Sequence, residues 1–211
     1  MPADHLHLVR HGEVHNPEQV LYGRLPHYGL SPRGIAMAEL AAQALAGRPV
    51  RALVASPLQR TQESAAPWTA AFGLEGVLDE RIIEPWNVFE GTRMRESLRR
   101  PANWRHLLAP WRPSWGEPYR AVAARMLAAM DAVWESTDGG EAVLVSHQMP
   151  IETVTRAIGG RRLAHSPAKR RTSLSSITSF RRDPATGRWA ETGYQEPAAG
   201  LLGDAIDTGA V

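Results

Sequence analysis

An arginine, a histidine and a glycine stand side by side at positions 10–12, directly after the alternating run His5 to Val9. Arg60 follows a second short apolar run, Arg51 to Ala55, and His147 follows a third, Glu141 to Val145. Two guanidiniums and two imidazoles delivered by strand-like runs suit an oxyanion. Arginine offers a planar fork of donors, and neighbouring positive charge keeps an imidazole neutral and able to attack. The chemistry such a set supports is transfer of a phosphoryl group onto a ring nitrogen, with the guanidiniums absorbing charge in the transition state. An acid must then protonate the departing oxygen. Glu13, Glu84 and Glu90 are candidates. Glu84 follows a strand-like run and opens an irregular segment that could overhang the pocket, whereas Glu13 belongs to the histidine loop and reads as a local hydrogen-bond partner.

A metal is the rival reading for histidines. His5, His7, His11, His15 and His147 could be drawn as ligands, but a cation beside Arg10 and Arg60 would be repelled, and no H-E-x-x-H occurs. We therefore expect neither metal nor cofactor. His5 and His7 alternate with Leu6 and Leu8 and read as structural residues on one strand face. With no cysteine in the chain, disulfides, thiolate metal sites and cysteine nucleophiles are excluded together.

The elements around these residues alternate strand and helix. A strand over 5–9 is followed by a helix opened by Ser31 as cap and Pro32 at its first position. A strand over 51–55 leads into Ser56-Pro-Leu-Gln59, which has capping-box form, and a helix to about Phe72 stopped by Gly73. Val77 to Ile83 reads as a strand. Apolar residues at 122, 126, 130 and 133 mark an amphipathic helix from about 117 to 134. After the strand at 141–145, a helix is predicted over 150–158, then a hairpin of 173–180 with 188–194. This order predicts an α/β three-layer sandwich: a doubly wound, mostly parallel sheet with an antiparallel edge strand. Ligands of such sheets bind at the carboxyl ends of the strands.

The 211 residues, 43% hydrophobic and 22% charged, fit one domain over 1–196 with a helical lid insertion at about 85–118. The Ala/Gly/Asp-rich 197–211 reads as a loosely ordered tail. The formal charge of +2 excludes little, and almost all basic residues are arginine. The N-terminus has no signal-peptide pattern and no window is apolar enough to span a bilayer, so a cytoplasmic protein without membrane attachment is expected.

The blocks LVRHGEVHN (8–16), YGR followed by LSPRG (22–34), SPLQRTQESA (56–65), Glu84 with an EG pair ending at Gly91, WGEPYRAVAAR (115–125) and VLVSHQMPI (143–151) resemble the histidine phosphatase superfamily, also called phosphoglycerate-mutase-like. The resemblance implies a phosphohistidine on His11, a phosphate clamp of Arg10 and Arg60, His147 as the second histidine of the pocket, and Glu84 as proton donor. It further implies phosphate contacts from Asn16 and Gln148 and a substrate contact from Arg24. Asn16 stands one residue nearer the nucleophile than is usual, Gln148 occupies a position where glycine is common, and Glu84 lies slightly closer to its EG pair.

The family holds phosphomonoester phosphatases and cofactor-dependent mutases. A mutase must retain a doubly phosphorylated intermediate, which goes with a long enclosing insertion; the modest insertion here favours hydrolysis of a small phosphorylated metabolite. Within the lid, Trp86, Phe89, Trp104, Trp111, Trp115 and Tyr119 are expected mostly to fasten it down, and Arg93, Arg95, Arg99, Arg100, Arg105 and Arg112 mostly to face water. The run Arg161, Arg162, Lys169, Arg170, Arg171 offers a nucleic-acid surface as an alternative class, but a solvated loop is the favoured reading. A homodimer is also open, because an uncovered sheet edge invites a second copy.

Overall fold

The structure, a computed structural model, describes residues 2–107, 115–166, 170–203 and 205–207, with side chains for all of these except 98 and 105–107. Its strands are β1 (His5–Arg10), β2 (Val50–Ala55), β3 (Val77–Leu78), β4 (Glu141–Ser146), β5 (Ile177–Arg182) and β6 (Trp189–Gln195). Its helices are α1 (Pro32–Ala44), α2 (Gln59–Phe72), the short α3 (Met94–Leu98), α4 (Tyr119–Ser136) and α5 (Gln148–Ile158). The strands form one sheet in the order β3-β2-β4-β1-β5-β6. The first four run parallel, and β5 is antiparallel to both β1 and β6. The antiparallel strand thus lies one place inside the edge, and β6 completes the hairpin as the edge itself.

Alternation along the strands sorts the core into two layers. Leu6, Leu8, Ala142 and Leu144 face Val122, Met126 and Met130 of α4 and Ile151 and Val154 of α5. Val9, Val143 and Val145 face Ala41 and Leu45 of α1 and Ala65 and Trp68 of α2. Helices covering both faces satisfy what a parallel sheet requires. His7 points to the second face, where its Nδ1 meets Ser179 Oγ at 2.9 Å and its Nε2 meets Glu141 Oε2 at 3.0 Å. His5 stacks over it. The H-x-H pair is structural, as its alternation with leucine suggested.

Helix α1 starts as predicted, with Ser31 Oγ accepting from the Gly34 N–H at 3.0 Å. Helix α2 does not: it begins at Gln59, no side chain caps it, and Ser56 is engaged elsewhere. The predicted strand 77–83 shrinks to Val77–Leu78. Beyond it, the Asp79 carboxylate accepts from the Arg81 N–H and turns the chain into a 3₁₀ turn at Glu80–Ile82. The tail is a larger correction. Ala198 is buried, and Leu201, Leu202 and Ala205 pack with it against Met37 and Leu174, so even these small apolar side chains find a surface that fixes the chain.

In the lid, Phe89 and Tyr119 are buried as expected, while Trp86 and Trp104 stay about half exposed at 46% and 57%. Arg93, Arg95, Arg99 and Arg100 face solvent. Trp111 and Arg112 lie outside the described residues. No helix among the described residues is long and apolar enough to cross a membrane.

Two glycines join the loop after β1 to the first turn of α1. A Cβ on Gly12 would overlap the Gly34 carbonyl oxygen, and a Cβ on Gly34 would overlap the Glu13 carbonyl oxygen. Backbone thus packs on backbone with no space for a methyl group. We expect Gly34→Ala to lower stability by about 2 kcal/mol, the scale of an overpacked core, read as a reduced midpoint in denaturant unfolding at unchanged slope.

Candidate active site

Strand order decides which side chains meet. β2, β4 and β1 are neighbours running the same way, so their carboxyl ends deliver Ser56, His147 and the Arg10-His11 pair to one edge. His11 and His147 lie with ring centroids 5.3 Å apart at an interplanar angle of 62°. Arg60 comes from the first turn of α2, its guanidinium carbon 4.7 Å over the Tyr22 ring and its Nη2 donating to the Gly23 carbonyl at 2.7 Å. Glu84 follows the 3₁₀ turn and places Oε2 3.6 Å from His147 Nδ1. Arg10, His11, Arg60, Glu84 and His147 are all at most 1% exposed.

The proton of His11 can be placed. His11 Nδ1 lies 2.7 Å from the Gly12 carbonyl, which can only accept, so Nδ1 carries the proton and Nε2 the lone pair. Burial, reinforced by Arg60 and then Arg10, holds this imidazole well below its usual range. His147 Nε2 lies 2.7 Å from Ser56 Oγ. Its Nδ1 has no hydrogen-bond partner among the described residues and lies 3.6 Å from the Glu84 carboxyl. Burial, followed by Arg60 and His11, depresses this imidazole as well. Glu84 moves the other way: burial pushes its carboxyl up to about 7, against the pull of Arg60, Arg170, Arg10 and Arg125. Glu84 therefore holds its proton up to about pH 7, while both imidazoles are held toward the uncharged form.

Several of these groups keep polar atoms for something else. Arg10 Nε, Arg60 Nε, His147 Nδ1 and Glu84 Oε1 are buried with no hydrogen-bond partner among the described residues. Unsatisfied buried donors are costly. Donors of this kind at one site, with one lone pair on His11 Nε2 beside them, suit a tetrahedral oxyanion.

The more peripheral expectations fare differently. The Asn16 amide is bound to the backbone of Val20, donating at 2.9 Å and accepting at 3.2 Å, and so closes its own loop. Short amides prefer such local turns. Gln148 donates to the Thr172 carbonyl at 3.2 Å and accepts from Arg170 at 3.1 Å. Arg24 donates through Nε to the Glu84 carbonyl at 2.6 Å and pairs with Glu117 at 3.4 Å, tying the acid's backbone to the lid.

Sequence reading missed Ser56, assigned to a helix cap, and Arg170, assigned to a solvated basic run. Arg170 turns inward, donates to His165 at 3.0 Å and acts electrostatically on Glu84. Arg171 instead lies over Tyr194, 4.3 Å from the ring centroid, and pairs with Glu191. Neighbours that diverge in this way do not make one basic face. Among the described residues, no group of three or more His, Cys, Asp or Glu is arranged to hold a metal ion.

A sheet edge that gathers two neutral histidines, two buried guanidiniums and a protonated carboxyl defines a phosphoryl-handling α/β protein. The model of the histidine phosphatase superfamily (branch 1) matches residues 6–193, and the chain belongs to that family of phosphatases and phosphoglycerate mutases. An uncharacterized protein of Mycobacterium tuberculosis is 46% identical over 203 residues, spanning 94% of this chain and all of the relative. A probable phosphoglycerate mutase of Yersinia pestis is 30% identical over 201 residues, 92% of either chain. The solved structure of a mycobacterial glucosyl-3-phosphoglycerate phosphatase with inorganic phosphate is 26% identical with a TM-score of 0.72, covering 93% of this chain and 99% of that one.

Two outcomes follow from the proton assignments. Nitrogen NMR should show both His11 and His147 neutral at pH 6, with His11 protonated on Nδ1. Ser56→Ala, which removes the hydroxyl 2.7 Å from His147 Nε2, should shift the tautomer balance of His147 and leave that of His11 unchanged.

Proposed function

We propose that the protein hydrolyses phosphomonoesters of small metabolites through a covalent phosphohistidine on His11. The observation that carries this reading is the hydrogen bond from His11 Nδ1 to the Gly12 carbonyl at 2.7 Å, which commits the lone pair to Nε2 inside a pocket of buried cationic donors. Nε2 attacks phosphorus and the ester P–O bond breaks. The electron pair leaves with the substrate oxygen, which takes the proton from Glu84. Glu84, now a carboxylate, removes a proton from water, and the resulting oxygen attacks the phosphohistidine. The P–N bond breaks, phosphate is released, and both His11 and protonated Glu84 are restored. Arg10, Arg60 and His147 stabilise the equatorial oxygens throughout. These steps balance on the side chains alone.

The similarity to the glucosyl-3-phosphoglycerate phosphatase supports hydrolysis and places phosphorylated sugar acids in the substrate screen. The similarity to a probable phosphoglycerate mutase supports a second reading, phosphoryl transfer between two oxygens of one acid. Interconversion of 3- and 2-phosphoglycerate that outpaces phosphate release would replace the first reading with the second.

Phosphate release from p-nitrophenyl phosphate should fall at least about a thousandfold in His11→Ala, the scale of removing a nucleophile. Quenching wild type turning over a labelled ester in alkaline denaturant, where the P–N bond survives, should trap phosphate on His11, and failure to trap it would count against the covalent step. The pH profile should be bell-shaped. Glu84 must be protonated to act and is pushed up to about 7, so kcat/KM should decline above pH 7. His11 must be neutral and is held well below its ordinary 6.5, so the acid limb should lie far to the acid side. Glu84→Gln should remove the alkaline limb and slow esters with poor leaving groups by about a hundredfold or more.

A further inference from the structure

We infer that Asp207 is a positioning residue of the phosphate clamp, brought there by the segment that follows β6. This rests on the reading of the site as a phosphate pocket. Asp207 Oδ2 accepts from Arg10 Nη1 at 2.9 Å and Oδ1 accepts from Nη2, an end-on bidentate pair. The second Nη1 proton goes to the Thr172 carbonyl at 2.8 Å. A guanidinium has five N–H bonds. Three are thereby committed, and the two that remain, on Nε and Nη2, lie along one side as a second fork. Nε is buried and without a partner among the described residues. Asp207 therefore holds the far end of the guanidinium and leaves the near side to grip an anion, instead of filling the anion's place.

The approach of Asp207 is fixed by the preceding residue. The Ile206 N–H donates to Glu13 Oε1 at 2.8 Å, and Glu13 also accepts from Ser31 Oγ and from Arg33. Residues 10 and 13 flank the nucleophile, so two adjacent residues of the distal segment clasp both sides of the His11 loop. Packing of Ala198, Leu201, Leu202 and Ala205 against Met37 and Leu174 delivers the segment there. Arg10 is fully buried and Asp207 about one-third exposed, so the pair also offsets the cost of burying a cation without sealing the pocket.

The test uses the full chain with Asp207→Asn and Asp207→Ala, and inorganic phosphate and vanadate as probes. If Asp207 orients Arg10, both variants bind phosphate and vanadate about tenfold more weakly than wild type, kcat/KM falls by a similar factor, and Asp207→Asn, which keeps one acceptor, falls less than Asp207→Ala. Because the pair offsets the burial of Arg10, the thermal midpoint drops in both variants, but they stay folded at the assay temperature and the alkaline limb set by Glu84 stays in place, which separates lost orientation from loss of folded protein. Unchanged or tighter phosphate binding in both variants overturns the inference, since the carboxylate is then a bystander or a competitor of the substrate anion. A loss of activity accompanied by an equal loss of folded protein overturns it as well. Wild-type phosphate release and binding, measured in the same series, test the pocket itself: wild type that binds no phosphate overturns both readings, whereas wild type that binds while the variants match it overturns only this one.

Discussion

The site depends on burying two guanidiniums beside two imidazoles. Like charges removed from water repel strongly, and each cation must find compensation that does not consume the face turned to substrate. Arg60 finds it in the Gly23 carbonyl and the Tyr22 ring, Arg10 in the Thr172 carbonyl and Asp207. The remaining positive potential acts on the histidines, which stay neutral, and it competes with burial at Glu84, which nevertheless keeps its proton near neutrality. Burial first, and the two guanidiniums second, thus set the protonation of His11, His147 and Glu84 together.

Around Glu84 the protein builds a second tier of charge. Arg24 holds its carbonyl, Glu117 links Arg24 to Arg125, and Arg125 donates in turn to the Arg81 carbonyl at 2.6 Å. This chain connects the loop after β1, the 3₁₀ turn and the start of α4. The backbone that carries the Glu84 carboxyl is thereby tied through Arg24 to this network, which suits the proton-donor role proposed for it.

The centre of the site was legible because strand-to-loop handovers are local. Arg10, His11 and His147 end apolar runs, and apolar runs become parallel strands whose carboxyl ends converge. Ser31 was legible for the same reason, since its acceptor role is fulfilled three residues away. Ser56 was not: it has the form of a cap, but its partner is a histidine 91 positions later, and only strand order reveals that they meet. Arg170 looked like one charge in a basic run, yet its neighbour Arg171 turns outward while it turns in. The local bonds of Asn16 to Val20 are of the kind a short amide next to a turn makes with nearby backbone. Asp207 lay in a stretch whose small residues gave no period, and its role is defined entirely by a partner at the other end of the sequence.

The sheet order carries a consequence for biosynthesis. β1 leaves the ribosome before the other described strands, yet its two neighbours, β4 and β5, span residues 141–146 and 177–182. At roughly 5–20 residues per second, on the order of ten seconds pass before either neighbour is translated. During that interval Leu6, Leu8 and Val9 form an unpaired apolar edge on a nascent chain. This central strand of the finished sheet therefore waits for partners made far later in the chain, the kind of long-range pairing that slows folding.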